Sequence, residues 1–211
     1  MFFLVRREVV ASKFAVDVSI EGRPLRGANV SISTAEAPFA TAFEALTGTD
    51  GTVPVTNLTA GSYSLGVSYL GVGTIHTELL VMPIVDKVAM RVTYALETAS
   101  AERVRAVVGQ VSELGDRLLS EILPTSAALT LSRVESDFRL ATTMAKDGSF
   151  AFPPVEPGLY VLRLRSTGRQ ESDTSHLLRV SVEAPAGTLR LFAAGGACGQ
   201  TMMWVDRAGK P

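Results

Sequence analysis

Two stretches of the chain read alike: Asp50-Gly51-Thr52-Val53-Pro54-Val55-Thr56-Asn57-Leu58-Thr59-Ala60-Gly61-Ser62-Tyr63-Ser64-Leu65, and Asp147-Gly148-Ser149-Phe150-Ala151-Phe152-Pro153-Pro154-Val155-Glu156-Pro157-Gly158-Leu159-Tyr160-Val161-Leu162. Asp-Gly is a turn pair, because glycine accepts a positive φ without steric cost. Alternating residues follow, as a half-buried strand requires. A second turn comes at Ala60-Gly61 and Pro157-Gly158, and another alternating run starts at Tyr63 and Tyr160. The spacing from Asp-Gly to Gly-x-Tyr is the same in both copies. The repeat therefore predicts an all-β chain of two tandem sandwiches. It also predicts matching positions for Gly61 and Gly158, with positive φ or a tight backbone approach at each. It identifies no chemistry.

The 211 residues divide into two domains, each of roughly 90 residues, enough for a sandwich core without staples. A hydrophobic fraction of 46% and a charged fraction of 19% describe a globular chain. The net charge of -1 argues against broad attraction to nucleic acid or an anionic membrane. The single cysteine, Cys198, excludes an intrachain disulfide and a cysteine-only zinc site. No stretch approaches the roughly 20 apolar residues of a transmembrane helix. At the start, Phe2-Phe3-Leu4-Val5 precedes Arg6-Arg7, the reverse of the order in a secretory signal.

The expected boundaries are a first domain over 1–95 with an N-terminal extension, a linker over 96–102, a second domain over 103–193 and a tail over 194–211. Alternation predicts strands at Phe14–Ile20, Ala28–Ile32, Val53–Val55, Tyr63–Tyr69, Thr74–Val81 and Lys87–Tyr94 in the first domain. Arg103–Val111, Ala127–Leu131, Tyr160–Leu164, His176–Val182 and Thr188–Phe192 follow in the second, where Arg139–Thr143 leads into Asp147-Gly148. Phe2–Val5 either pair as an extra strand or pack on the first domain. The copies differ most over Ser112–Pro124, where Glu113–Leu123 is expected to form one or two helical turns, with Leu118, Leu119 and Ile122 packing back. Ser166–Asp173 reads as a polar loop. The tail, with Met202, Met203 and Trp204, reads as a flexible end or an apolar strap.

Gly22-Arg23-Pro24-Leu25-Arg26-Gly27-Ala28-Asn29-Val30-Ser31-Ile32, then Thr49-Asp50-Gly51, then Asn57-Leu58-Thr59-Ala60-Gly61-Ser62-Tyr63-Ser64-Leu65 resembles the carboxypeptidase regulatory-like domain. The second copy resembles it at Asp147-Gly148-Ser149-Phe150 and Pro157-Gly158-Leu159-Tyr160, and lacks the G-x-P-L-x-G-A element. The resemblance implies a seven-stranded, transthyretin-like sandwich. It also implies a noncatalytic module of an exported bacterial protein: extracellular, periplasmic or at the cell surface. Cna B-type pilin and adhesin domains and starch-binding-like modules share the pattern. In a Cna B-type reading, Lys13 and Asp86 take the isopeptide roles. The assisting Glu is missing, since Gly66 follows Tyr63-Ser64-Leu65 and Arg163 follows Tyr160-Val161-Leu162.

Reactive constellations are weighed against plain structural roles. His76 and His176 fall in comparable late strands and read as strand-surface residues. Asp173-Thr174-Ser175-His176 is a local cluster, but adjacent strand residues point to opposite faces, so a triad does not assemble there. Asp50 and Asp147 read as turn residues, because one acid per turn falls short of calcium's oxygen count. No catalytic, metal or cofactor site is expected. What remains is a candidate interaction surface: Arg163 and Arg165 alternating on one strand, Met203 and Trp204 in the tail, and Tyr69. Arg133, Arg139 and Arg179 are candidates to lie nearby. The expected partner is a protein, or a polysaccharide in the carbohydrate-binding alternative, and not nucleic acid.

Overall fold

The computed structural model describes residues 7–36, 40–83, 89–113, 127–167, 171–193 and 201–206. The chain divides into two units, Met1–Thr98 and Ala99–Pro211. Every secondary element among the described residues is a strand.

The first unit holds β1 (Arg7–Ile20), β2 (Arg23–Pro24), β3 (Asn29–Thr34), β4 (Thr41–Leu46), β5 (Thr52–Val55), β6 (Gly61–Tyr69), β7 (Val72–Met82) and β8 (Ala89–Leu96). β1 is the strand that joins the layers. Its first part, Arg7–Ala11, runs parallel to β7, which continues through β6 and β3 to β4. Its second part lies between β5, antiparallel to Phe14–Asp17, and β8, parallel to Ala15–Ile20. A register shift between Val10 and Ala15 marks the crossing. The expected strand over Phe14–Ile20 is therefore longer, and takes in residues 7–13.

The second unit repeats this plan with the first strand cut in two. β9 (Glu102–Val104) runs parallel to β15 (Glu171–Val180), and β10 (Val108–Glu113) runs parallel to β16 (Thr188–Ala193). β11 (Ala128–Arg133), β12 (Arg139–Thr143), β13 (Ser149–Ala151) and β14 (Gly158–Thr167) complete the counterparts of β3 to β6. One sheet has the order β12-β11-β14-β15-β9. The other is β13-β10-β16 with an added edge strand, β17 (Thr201–Asp206). The expected seven strands are thus enlarged by β2 in the first unit, and by the split first strand and β17 in the second.

The inward faces follow the period of two along each strand. Val16, Val18, Val30, Ile32, Tyr63, Leu65 and Val67 are buried in the first unit. In the second, Leu129, Leu131, Tyr160, Leu162 and Leu164 pack with Phe150, Phe152, Val111, Leu189 and Leu191 of the opposing sheet. Burying a Leu, Val or Phe side chain contributes about 1.5–3 kcal/mol, so these faces hold each sandwich together.

Three expectations change. Ser166–Asp173 is mostly ladder: Ser166 pairs with Ser172 and Thr167 with Glu171, extending the β14–β15 hairpin. The tail is not wholly free of structure, because Thr201–Asp206 pairs along β16. Gly61 and Gly158 do open matching strands, but neither has a positive φ. A Cβ on Gly61 would meet only the Tyr63 ring, at 3.5 Å. On Gly158 it would meet the Arg133 side chain at 3.3 Å, a flexible neighbour. The left-handed glycines of the repeat are Gly51 and Gly148, at φ 71° and 82°. Phe2–Val5, expected to pair as an extra strand or to pack on the first domain, lies outside the described residues, as does the expected helical segment but for Glu113, which ends β10.

Candidate interaction surface

The repeated stretch builds the same two devices in each unit. At the hairpin, Asp50 Oδ1 accepts the Thr52 N–H at 3.0 Å, and Asp147 Oδ1 accepts the Ser149 N–H at 2.9 Å. The Ser149 hydroxyl adds a bond at 2.7 Å. These hydrogen bonds, the hydroxyl's first, hold the Asp147 carboxyl below the usual carboxylate range. At the corner, the Tyr63 hydroxyl donates to the Thr59 carbonyl at 3.1 Å, and Tyr160 to the Glu156 carbonyl at 2.8 Å. Burial pushes the Tyr160 phenol up. Both aspartates are thus spent on turns and both tyrosines on corners. No group of three or more His, Cys, Asp or Glu side chains poised for a metal occurs among the described residues.

His176 corrects the surface reading. It stands opposite Leu162 on β15, on the face shared with buried Leu178 and Val180. Its Nε2 is buried without a hydrogen-bond partner, and burial lowers its pKa from 6.5. The inward place belongs to the counterpart of Thr77, which is itself buried. Sequence spacing pointed to the strand correctly but not to the face. Lys13 is exposed, and Asp86 lies outside the described residues.

The arginines lie on the outer face of the β12-β11-β14-β15-β9 sheet. Arg163 stands between Thr130 and Ser175, and Arg165 between Ala128 and Asp173. Arg139 is opposite Ser132, and Arg179 opposite Leu159, on the same face by alternation. Arg165 and Arg139 are exposed, while Arg163 and Arg179 are half-buried. Arg133 does not join them. Its guanidinium donates to Glu156 at 2.8 Å and reaches the Pro157 carbonyl, closing the Tyr160 corner.

The aromatic and methionine candidates separate. Tyr69 is only 9% exposed at the end of β6, so its ring offers no open stacking platform. Met203 and Trp204 lie on β17, opposite Leu191 and Arg190 respectively. They are in the other sheet of the second unit from Arg163 and Arg165. Within the second unit, the arginine pair and the Met203–Trp204 strand therefore belong to different sheets.

Two features escaped the sequence reading. Thr47 is buried, and its hydroxyl donates to the Leu25 carbonyl while accepting the Ala28 N–H at 2.9 Å. It clamps the Gly22–Ala28 turn. Arg91 pairs with Asp17 at 2.9 Å across neighbouring strands. Only the strand pairing brings these residues together; local spacing gives no sign of it.

No family model matches the chain, and no curated protein matches it in sequence. Among solved structures, it is similar to the Bacillus anthracis TIE protein, at 12% identity and TM-score 0.35, over 87% of this chain and 33% of that one. It is similar to a streptococcal ancillary pilin at 17% identity and TM-score 0.35, over 88% of this chain and 63% of that one. It is similar to BcpA, the major pilin subunit of Bacillus cereus, at 11% identity and TM-score 0.35, over 92% of this chain and 84% of that one. The chain thus spans a third of the first and under two thirds of the second.

Proposed function

We propose that this chain is a noncatalytic structural and interaction module of a cell-surface or secreted bacterial protein, of the kind the carboxypeptidase regulatory-like resemblance implies. The observation that carries the reading is the use of the side chains. The inward-facing apolar residues of each unit are consumed by its own core. The aspartates and tyrosines of the repeat are consumed by turns and corners. Arg139, Arg163, Arg165 and Arg179 share one sheet face, where an acidic partner surface is the complementary one. Burial of Tyr69 takes one of the two aromatic candidates, Tyr69 and Trp204, from the carbohydrate-binding alternative.

The experiment is protease accessibility in bacterial cells expressing the natural gene. Recovery of the chain in the medium, or its cleavage before the cytoplasmic membrane is broken, is the expected result. Full protection until that membrane is lysed overturns an exported role.

A further inference from the structure

β16 and β8 occupy the same place in their units. Each runs parallel to the strand that meets the Asp-Gly hairpin. Val18 and Val111 set the equivalence: their N–H groups donate to the Gly51 and Gly148 carbonyls at 2.8 and 2.9 Å. Val18 stands opposite Tyr94, and Val111 opposite Leu191. Val92, Tyr94 and Leu96 are therefore the counterparts of Leu189, Leu191 and Ala193. In the second unit the far edge of β16 is covered by β17. In the first, β8 pairs with no strand but β1 among the described residues.

We propose that the far edge of β8 receives the β17 segment, Thr201–Asp206, of a second copy of the chain, antiparallel and in the register it takes on β16. Transferred register sets Thr201 opposite Leu96, Met203 opposite Tyr94, Val205 opposite Val92 and Asp206 opposite Arg91. On its own edge Asp206 stands opposite Thr188, which carries no charge. Arg91 has a side chain 64% exposed, so its guanidinium is accessible beyond its bond to Asp17. Opposite charges directly across a ladder stabilise it. Exchange replaces one ladder by another of equal length, so this added pair and the chain concentration decide occupancy. β16 and β17 are joined through residues 194–200, which include Gly195, Gly196 and Gly199. In sequence this connector exceeds the usual hairpin loop of about 2–5 residues. Donor and acceptor belong to different units, so the contact is heterologous and each copy both gives and receives a strand. The inference adds a partner to the proposed role but rests only on strand pairing, so it stands or falls separately from where the protein resides.

The test uses full chains carrying Cys198→Ala, with Ala95→Cys in one and Met202→Cys in the other. These positions are opposite in the transferred register, where Cβ atoms come close enough for a disulfide. Mixed under mild oxidant, they are expected to cross-link several-fold faster than a control mixture of Ala95→Cys with Asp206→Cys. In sedimentation, Arg91→Glu is expected to weaken self-association, and adding Asp206→Arg to restore it. Cross-linking no faster than the control, monomeric sedimentation at every concentration, or no rescue by the charge swap overturns the proposal. Preferential linkage of Ala95→Cys to itself also overturns it, in favour of a symmetric β8–β8 pair.

Discussion

A Cβ built on Gly109 would lie 2.6 Å from Cζ of Phe150, its partner across the β10–β13 ladder. The same two positions in the first unit hold Val16 and Val53. One unit fills this part of its core with two medium side chains, and the other with a large one and none. The built Cβ also falls 2.5 Å from the Leu189 carbonyl oxygen. We expect Gly109→Ala to destabilise the second unit by about 1–3 kcal/mol, as overpacking does. Phe150→Val added to it should recover only part of the loss, since the Leu189 backbone remains. Thermal melts of the single and double variants check this; a neutral Gly109→Ala contradicts it.

The glycines of the first repeat should separate in a melt. Gly51 has φ 71°, and a Cβ there would meet the Val18 carbonyl oxygen at 2.5 Å and the Leu25 nitrogen at 2.9 Å. Gly51→Ala should cost on the order of 1–3 kcal/mol through strain. Gly61→Ala meets only ordinary contact and should cost less. Equal losses would contradict the assignment.

Both corner hydroxyls donate to a backbone carbonyl four residues back, and that of Tyr63 also bonds Thr59 Oγ1 at 3.0 Å, so removing either should carry a cost. Tyr63→Phe and Tyr160→Phe should each destabilise by about 0.5–1.5 kcal/mol, the usual net worth of a hydrogen bond. Denaturant titration of each variant measures it. A loss in one unit and none in the other would break the equivalence.

His176 gives the second unit a pH dependence. Its folded pKa is lowered by burial, so between that value and the unfolded value near 6.5 the unfolded chain binds more protons. Its contribution to stability is full above the unfolded pKa and falls as pH drops below it, levelling off under the folded pKa. Melts from neutral to acid pH should show a steeper loss for the native chain than for His176→Leu. Parallel curves would show that the imidazole is not desolvated.

The parts of this fold that were legible in sequence are those that repeat or alternate. Tyr160, Leu162 and Leu164 declare an inward face because strand geometry has a period of two. Asp50-Gly51 and Asp147-Gly148 declare turns because their backbone needs are local. Glycine alone did not say which role it filled, so Gly61 was taken for a strained turn residue when it opens a strand. Gly109 gave no sign, because its reason is Phe150, a residue distant in sequence. β17 was read as tail because a short edge strand carries too few residues for its period to show. Of the candidate surface, Arg163 and Arg165 were readable as an outward pair from their own strand. Arg133 was not separable from them, since its bond to Glu156 depends on how the corner folds.

The claim beneath all of this is that one sandwich plan is built twice, each copy with a core of its own. It is tested most directly by preparing a fragment ending at Thr98 and measuring its near-ultraviolet circular dichroism through a thermal melt. We expect native-like signal and a single cooperative transition in the isolated fragment. A fragment without fixed tertiary signal, alongside a folded full-length chain, would contradict it.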